Sequence, residues 1–194
     1  MSIKVLSKFA KAPAGYAVID TTSRGGLNSQ LSPFLLGPVD LYLGYQAENM
    51  ENGWQFAKVY KQHLDRNGNI DQSYYDWAIK GFEDKKAHRY PMGKGAVPEF
   101  SLWDGRRLGY IDARKTIYGP LYGKAVVHTK AFKTLADMNS GGVDIALLDY
   151  DGYDHDKLNM SLTEVLHEPK KKMGHAFVLK ALLTNDPVLR EFGL

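Results

Sequence analysis

The chain has 194 residues, 44% of them hydrophobic and 24% charged, with a formal charge of +3 when histidines are neutral. This is the size and composition of one soluble domain with a core of its own. The lack of cysteine excludes a disulfide framework, a thiolate metal site and a cysteine nucleophile. No apolar run reaches the roughly 18 residues of a membrane helix. The opening MSIKVLSKFAKAPAG lacks the apolar stretch of a signal peptide, so a cytoplasmic protein without membrane contact is expected.

Residues 11–38 are rich in Gly, Pro and Ser and read as irregular, with a short strand at Tyr16–Asp20. Leu35–Leu43 reads as a second strand, with Gly37-Pro38 at its start. Asn49–Leu64 reads as a helix, because Met50, Trp54, Ala57 and Leu64 recur at helical spacing. Asp65–Asn69 then ends it as a turn. Asp71–Asp84 reads as another helix, with Tyr75, Ile79 and Phe82 on one face. Ala87–Trp103 carries two prolines and two glycines and reads as a functional loop. Gly109–Met138 reads as two helices with a kink near Gly119-Pro120. Val143–Asp149 is a short apolar run, best read as a buried strand. An acidic loop over Asp149–Asp156 follows, then a short helix at Leu162–Leu166 and an apolar helix at Gly174–Leu183. Asn185-Asp186-Pro187 can cap a last turn running to Phe192. The expected fold is α+β, predominantly helical, with a few short strands in a single domain over 1–194.

Four constellations carry chemistry. Glu51, Gln55 and Lys58 fall on one face of the first helix, a row suited to holding a hydroxylated ligand. Asp149, Asp151, Asp154 and Asp156 put four carboxylates into eight residues directly after a buried strand. All four cannot share one dry site, but two near each other would push their pKa values apart, as acid and base work requires. Arg89-Tyr90-Pro91-Met92-Gly93-Lys94-Gly95 places cations beside glycines whose N–H groups can approach phosphate, although no P-loop or dinucleotide fingerprint is present. A basic run, Lys170-Lys171-Lys172, stands before the Gly174 helix and suits a nucleic-acid backbone. Asp65-x-Asn67-x-Asn69 starts like a calcium loop, but Ile70 stands where glycine is required. The histidines show no metal spacing and the serines no nucleophile elbow. No metal or cofactor is expected.

In this order the pieces resemble the NADAR (YbiA-like) family. Members show an S-N-F element, an E-H-x-x-Q-x-x-K stretch, a Gly-Arg loop, a Trp, a helix, an acidic D-x-Y-W-G loop and a closing L-G-x-x-L-M helix. Here Ser32-Pro33-Phe34 stands for the first. Glu51 to Lys58 stands for the second, keeping Glu51, the aromatic Trp54, Gln55 and Lys58. Met92-Gly93-Lys94 resembles the Gly-Arg loop, Trp103 the lone Trp, Asp151-Gly152-Tyr153 the acidic loop, and Met173-Gly174 through Leu183 the closing helix. The resemblance covers about residues 30–184. Pro33 in place of Asn, Lys94 in place of Arg and Asp154 in place of Trp mark a divergent branch.

The resemblance implies a NADAR-like fold and an enzyme that cleaves N-glycosidic bonds to ribose. The implied substrate is ADP-ribosylated DNA, its modification being removed from a base, as in reversal of a toxin's action. By family habit the setting is a phage or a toxin–antitoxin system, in the host cytoplasm if phage-encoded. Glu51 and Asp151 are the expected catalytic pair, by analogy with two-carboxylate glycosidases. Gln55 and Lys58 would orient ribose hydroxyls, and Arg89 and Lys94 would bind pyrophosphate. Trp54, Trp103 or Tyr153 would stack on a base. Ser32, Phe34, Gly93, Asp149 and Gly174 complete the expected substrate-binding set. Two alternatives stand: an N-glycosidase on a small ribosylated nucleotide-like metabolite, and a non-catalytic ADP-ribose or nucleotide binder.

Overall fold

The apolar run before the acidic loop organises the molecule. In the computed structural model, which describes residues 2–194, it forms β8 (Ile145–Asp149), buried along its whole length. β8 lies between β1 (Ile3–Ser7) and β2 (Ala17–Asp20) and runs parallel to both, with Val5 and Ile19 each opposite Leu147. Such a strand needs cover on both faces. Ile145 and Leu147 enter the main core, while Ala146 and Leu148 join a small cluster under Ala12 and Tyr16.

Two small antiparallel sheets accompany the parallel one among the described residues. β3 (Val39–Asp40) pairs with β4 (Gln46–Ala47), and β6 (Phe100–Trp103) lies between β5 (Lys58–Val59) and β7 (Arg106–Leu108). Helices outweigh strands: α1 (Met50–Gln55), α2 (Gln72–Phe82), α3 (Tyr110–Ala113), α4 (Gly119–Val126), α5 (Lys130–Ser140), α6 (Leu162–His167) and α7 (His175–Thr184). Short 3-10 turns, among them Gly26–Leu31 and Pro187–Phe192, link them. One mixed helix-and-strand domain results. No helix among the described residues is long and apolar enough to cross a membrane.

Several expectations need correction. The first helix stops at Gln55 rather than Leu64, because Lys58–Val59 pairs with Phe100–Ser101 as a strand. Here sheet pairing overrides helical spacing. The second strand is only Val39–Asp40. On α2 the buried face is Tyr74, Ala78, Gly81 and Phe82, while Tyr75 and Ile79 are exposed. Gly81 fixes that face: a Cβ there would collide with the Phe56 ring. Pro120 does not separate two helices. Helical backbone is continuous from Tyr110 to Val126 through a π turn at Arg114–Tyr118, and the break comes at Thr129, whose side chain caps α5. The loop after Ala87 ends at Phe100, where a hairpin begins. Its turn, Asp104-Gly105, has φ of 48° and 73°, the pattern of an Asp-Gly hairpin.

Candidate active site

The ends of the parallel strands place the site. β2 leads into Thr22 and Arg24, and β8 leads into Asp149, Tyr150 and Asp151; all five line one cavity of about 810 Å³. A crevice at the carboxyl ends of parallel strands is a general place for ligands. α1 supplies Glu51, Trp54 and Gln55, the loop after α2 supplies Arg89, and the start of α7 supplies Gly174 and His175.

The buried end is built on α1. Asn49 caps the helix by accepting from the Asn52 N–H at 2.9 Å. Asn52 donates to the carbonyls of Asp84 and Lys86 at 2.8 and 2.9 Å and accepts from the His88 N–H. These bonds anchor the base of the Arg89 loop. Facing the cavity, the Gln55 amide donates to Glu51 Oε1 at 2.9 Å and accepts from Lys58 Nζ at 2.6 Å. An amide nitrogen towards a carboxylate and an amide oxygen towards an ammonium is the one orientation that serves both partners. The expected row therefore forms, although Lys58 sits in a strand. The Lys58 ammonium also lies 4.6 Å from the Trp54 ring centre.

Desolvation dominates here. Burial pushes the Glu51 carboxyl above the ordinary carboxylate value, against Gln55, Lys58, Arg89 and His175. Burial brings the Lys58 ammonium down to about 8, opposed by Glu51 and reinforced by Lys172. An amine titrating so near neutrality can serve as a nucleophile as well as a cation.

Asp149 is a bracket between β8 and α7. Its Oδ2 accepts from the Ala176 N–H at 3.2 Å and lies 3.2 Å from His175 Nδ1. A Cβ on Gly174 would collide with this carboxylate, so glycine is required there. His175 Nε2 is 3.0 Å from the Thr21 carbonyl, which can only accept, so that nitrogen carries a proton.

The rim is assembled from loops. Arg89 donates to Asp151 Oδ2 at 2.8 Å, and Lys172 stands 3.9 Å from Oδ1. Burial works against the Arg89 charge, but Asp151 and then Tyr90, Glu51 and Asp149 more than restore it. Arg89 lies over the Tyr90 and Tyr150 rings, and Arg114 over Tyr110. Gly93 and Gly95 line the cavity at φ of 92° each, a conformation that favours glycine.

Of the expected site residues, Glu51, Asp151, Ser32, Phe34, Trp54, Gln55, Lys58, Arg89, Gly93, Asp149, Gly174 and Lys172 line this one cavity. Five do not. Trp103 is buried edge-to-face on Tyr42. Tyr153 packs on Phe177 under the Lys171 ammonium. Neither ring lines the cavity. Lys94 is exposed outside the cavity between its two lining glycines. Lys170 and Lys171 also lie outside it. The acidic loop divides as its charge density requires: Asp154 pairs with Lys4 and Asp156 with Lys180, away from the cavity. Asp65 accepts from the Asn67 and Asn69 N–H groups, so the calcium-like segment is a closed turn. No group of three metal-ligating side chains occurs among the described residues.

Sequence reasoning missed Tyr118, Tyr60, Arg24 and His175, which also line the cavity. It missed Arg114 too. That buried guanidinium binds the carbonyls of Leu166 and Glu168 at 3.0 and 2.9 Å and also that of Lys171, tying the lysine loop to the π turn.

A family model matches residues 2–167. The chain belongs to that family, a family of unknown function (DUF6939). The matched span holds Glu51, Arg89 and Asp151 and ends before Lys170 and α7. No curated protein and no solved structure matches the chain.

Proposed function

We propose that this protein is a NADAR-like hydrolase that cleaves an N-glycosidic bond to ribose, with ADP-ribose on a DNA base as its substrate. The observation that carries the reading is the buried Glu51–Gln55–Lys58 chain at one end of a cavity whose rim offers Arg89 and Lys172. The C1′–N bond breaks with its electron pair on the base nitrogen, water adds to C1′, and a proton passes to the base. Glu51 stabilises the positive charge developing at C1′, takes the proton from the attacking water and returns it to the departing base nitrogen. Gln55 holds Glu51 in place, and Lys58 orients ribose hydroxyls. Asp151, expected as the second catalytic carboxylate, is engaged by Arg89, so we assign it to positioning that guanidinium, which with Lys172 meets the pyrophosphate. Tyr90 and Tyr150, each under Arg89, offer rings for a base at the rim.

The test is incubation with an oligonucleotide carrying ADP-ribose on one base, followed by a denaturing gel. Release of free ADP-ribose supports the reading, and an unchanged substrate counts against it. One observation favours a second reading, an N-glycosidase on a small nucleotide-like metabolite. Only Lys172 of the lysine run lines the cavity, so the run does not extend the site along a DNA backbone. Turnover of a ribosylated heterocycle without DNA affinity would select that reading.

A further inference from the structure

The π turn at Arg114–Tyr118 leaves one polar group without a partner inside the cavity. Tyr118 is only 8% exposed, and the cavity is the surface it lines. Its ring packs edge-to-face on Trp54 at 5.2 Å. Its hydroxyl makes no hydrogen bond to any described residue. The next tyrosine along the helix behaves differently: the Tyr122 hydroxyl donates to the Leu31 carbonyl at 2.8 Å and is fully buried. Among the described residues, the side chains with a polar atom sealed without a partner are Asn139 and Tyr153, not Tyr118. π turns recur at functional sites because the extra residue re-aims side chains. Here the turn sends Arg114 towards the lysine loop and Tyr118 into the cavity.

We propose that the Tyr118 hydroxyl is a hydrogen-bond donor to the bound ligand, selecting an oxygen or nitrogen acceptor at the buried end of the cavity. This rests on the N-ribosyl hydrolase reading and adds a residue outside its sequence motifs. Burial, and then the carboxylates of Asp149 and Glu51, hold the phenol protonated well above its ordinary range. The group therefore donates without giving up its proton. A ligand that displaces water from this hydroxyl without offering an acceptor leaves the donor unpaired and is disfavoured.

Tyr118→Phe removes the hydroxyl alone and keeps the ring on Trp54. Calorimetric titration with ADP-ribose and cleavage of the modified oligonucleotide are measured on the wild type, Tyr118→Phe and Tyr122→Phe. Tyr118→Phe is expected to weaken ADP-ribose binding about tenfold, to lower kcat/KM at least as much, and to leave Tm unchanged. Tyr122→Phe is expected to lower Tm by about 2–4 °C and keep wild-type binding. Wild-type affinity and rate in Tyr118→Phe would overturn the assignment while leaving the hydrolase reading intact. A wild type that neither binds ADP-ribose nor cleaves the oligonucleotide would overturn both.

Discussion

At the buried end of the cavity Glu51, Gln55 and Lys58 form a chain largely withdrawn from water. At the rim, Arg89, Asp151 and Lys172 have side chains 30%, 31% and 60% exposed. The buried charges are governed by desolvation, which drives Glu51 and Lys58 towards their neutral forms. The rim charges are governed by pairing and by salt screening. A buried carboxylate suits proton work near neutral pH, whereas an exposed ion pair suits capture of an anion. In the proposed reaction, one cavity thus separates the chemistry from the charge that brings a ligand to it.

The largest difference between the two ends should appear in Glu51→Gln. Removing the buried carboxylate should lower the cleavage rate by roughly 10²–10⁴, with Tm equal to or above the wild type's, since a desolvated charge is lost. Asp151→Asn should lower kcat/KM less, chiefly through KM, and change stability by under about 1 kcal/mol. Raising salt should narrow the gap between Asp151→Asn and wild type and leave the Glu51→Gln gap unchanged. Equal, salt-sensitive losses in both variants would erase the distinction.

Gly174→Ala tests the bracket that joins the buried end to α7. Its Cβ would displace Asp149 from the helix start, so a loss of about 2–3 kcal/mol and a fall in Tm of about 4–12 °C are expected. A wild-type Tm would show that Asp149 has room to move. The pH profile sharpens the comparison further. Glu51 is raised, so activity should rise with pH through a range above that of an ordinary glutamate. It should fall again above about 8 as Lys58 loses its proton. For stability the sign is opposite at Lys58. Its folded pKa lies below the ordinary value, so the cost of its buried charge is full below about 8 and fades as pH rises towards 10.5. Lys58→Gln should therefore gain stability at pH 7 and much less at pH 10. The smallest effect on cleavage is expected at Tyr153→Phe, outside the cavity. Removing a sealed, unpartnered hydroxyl should raise stability by about 1 kcal/mol and leave cleavage unchanged.

The buried end was legible in the sequence because Glu51, Gln55 and Lys58 are close in sequence, and their spacing survives the loss of the helix at Gln55. β8 was legible because a strand covered on both faces reads as a continuous apolar run. The Arg89–Asp151 pair was named residue by residue but not as a pair, since 62 positions separate the partners. Trp103 and Tyr153 misled because an aromatic near a motif fits a core as well as it fits a base. Tyr118 carried no signal beyond its place before Gly119-Pro120, since a π turn changes the helical phase that spacing arguments assume. The β6–β7 hairpin was legible in principle from Asp104-Gly105. β1 gave only Ile3 and Val5 on either side of Lys4, too short a pattern to outweigh the irregular segment after it.

The most direct measurement is a single-turnover assay of wild type and Glu51→Gln on an oligonucleotide carrying ADP-ribose on one base. Free ADP-ribose released by the wild type, with the rate at least a hundredfold lower in Glu51→Gln, is the expected result. No release by the wild type, or equal release by both proteins, would contradict the assignment of ribosyl hydrolysis to the buried end of this cavity.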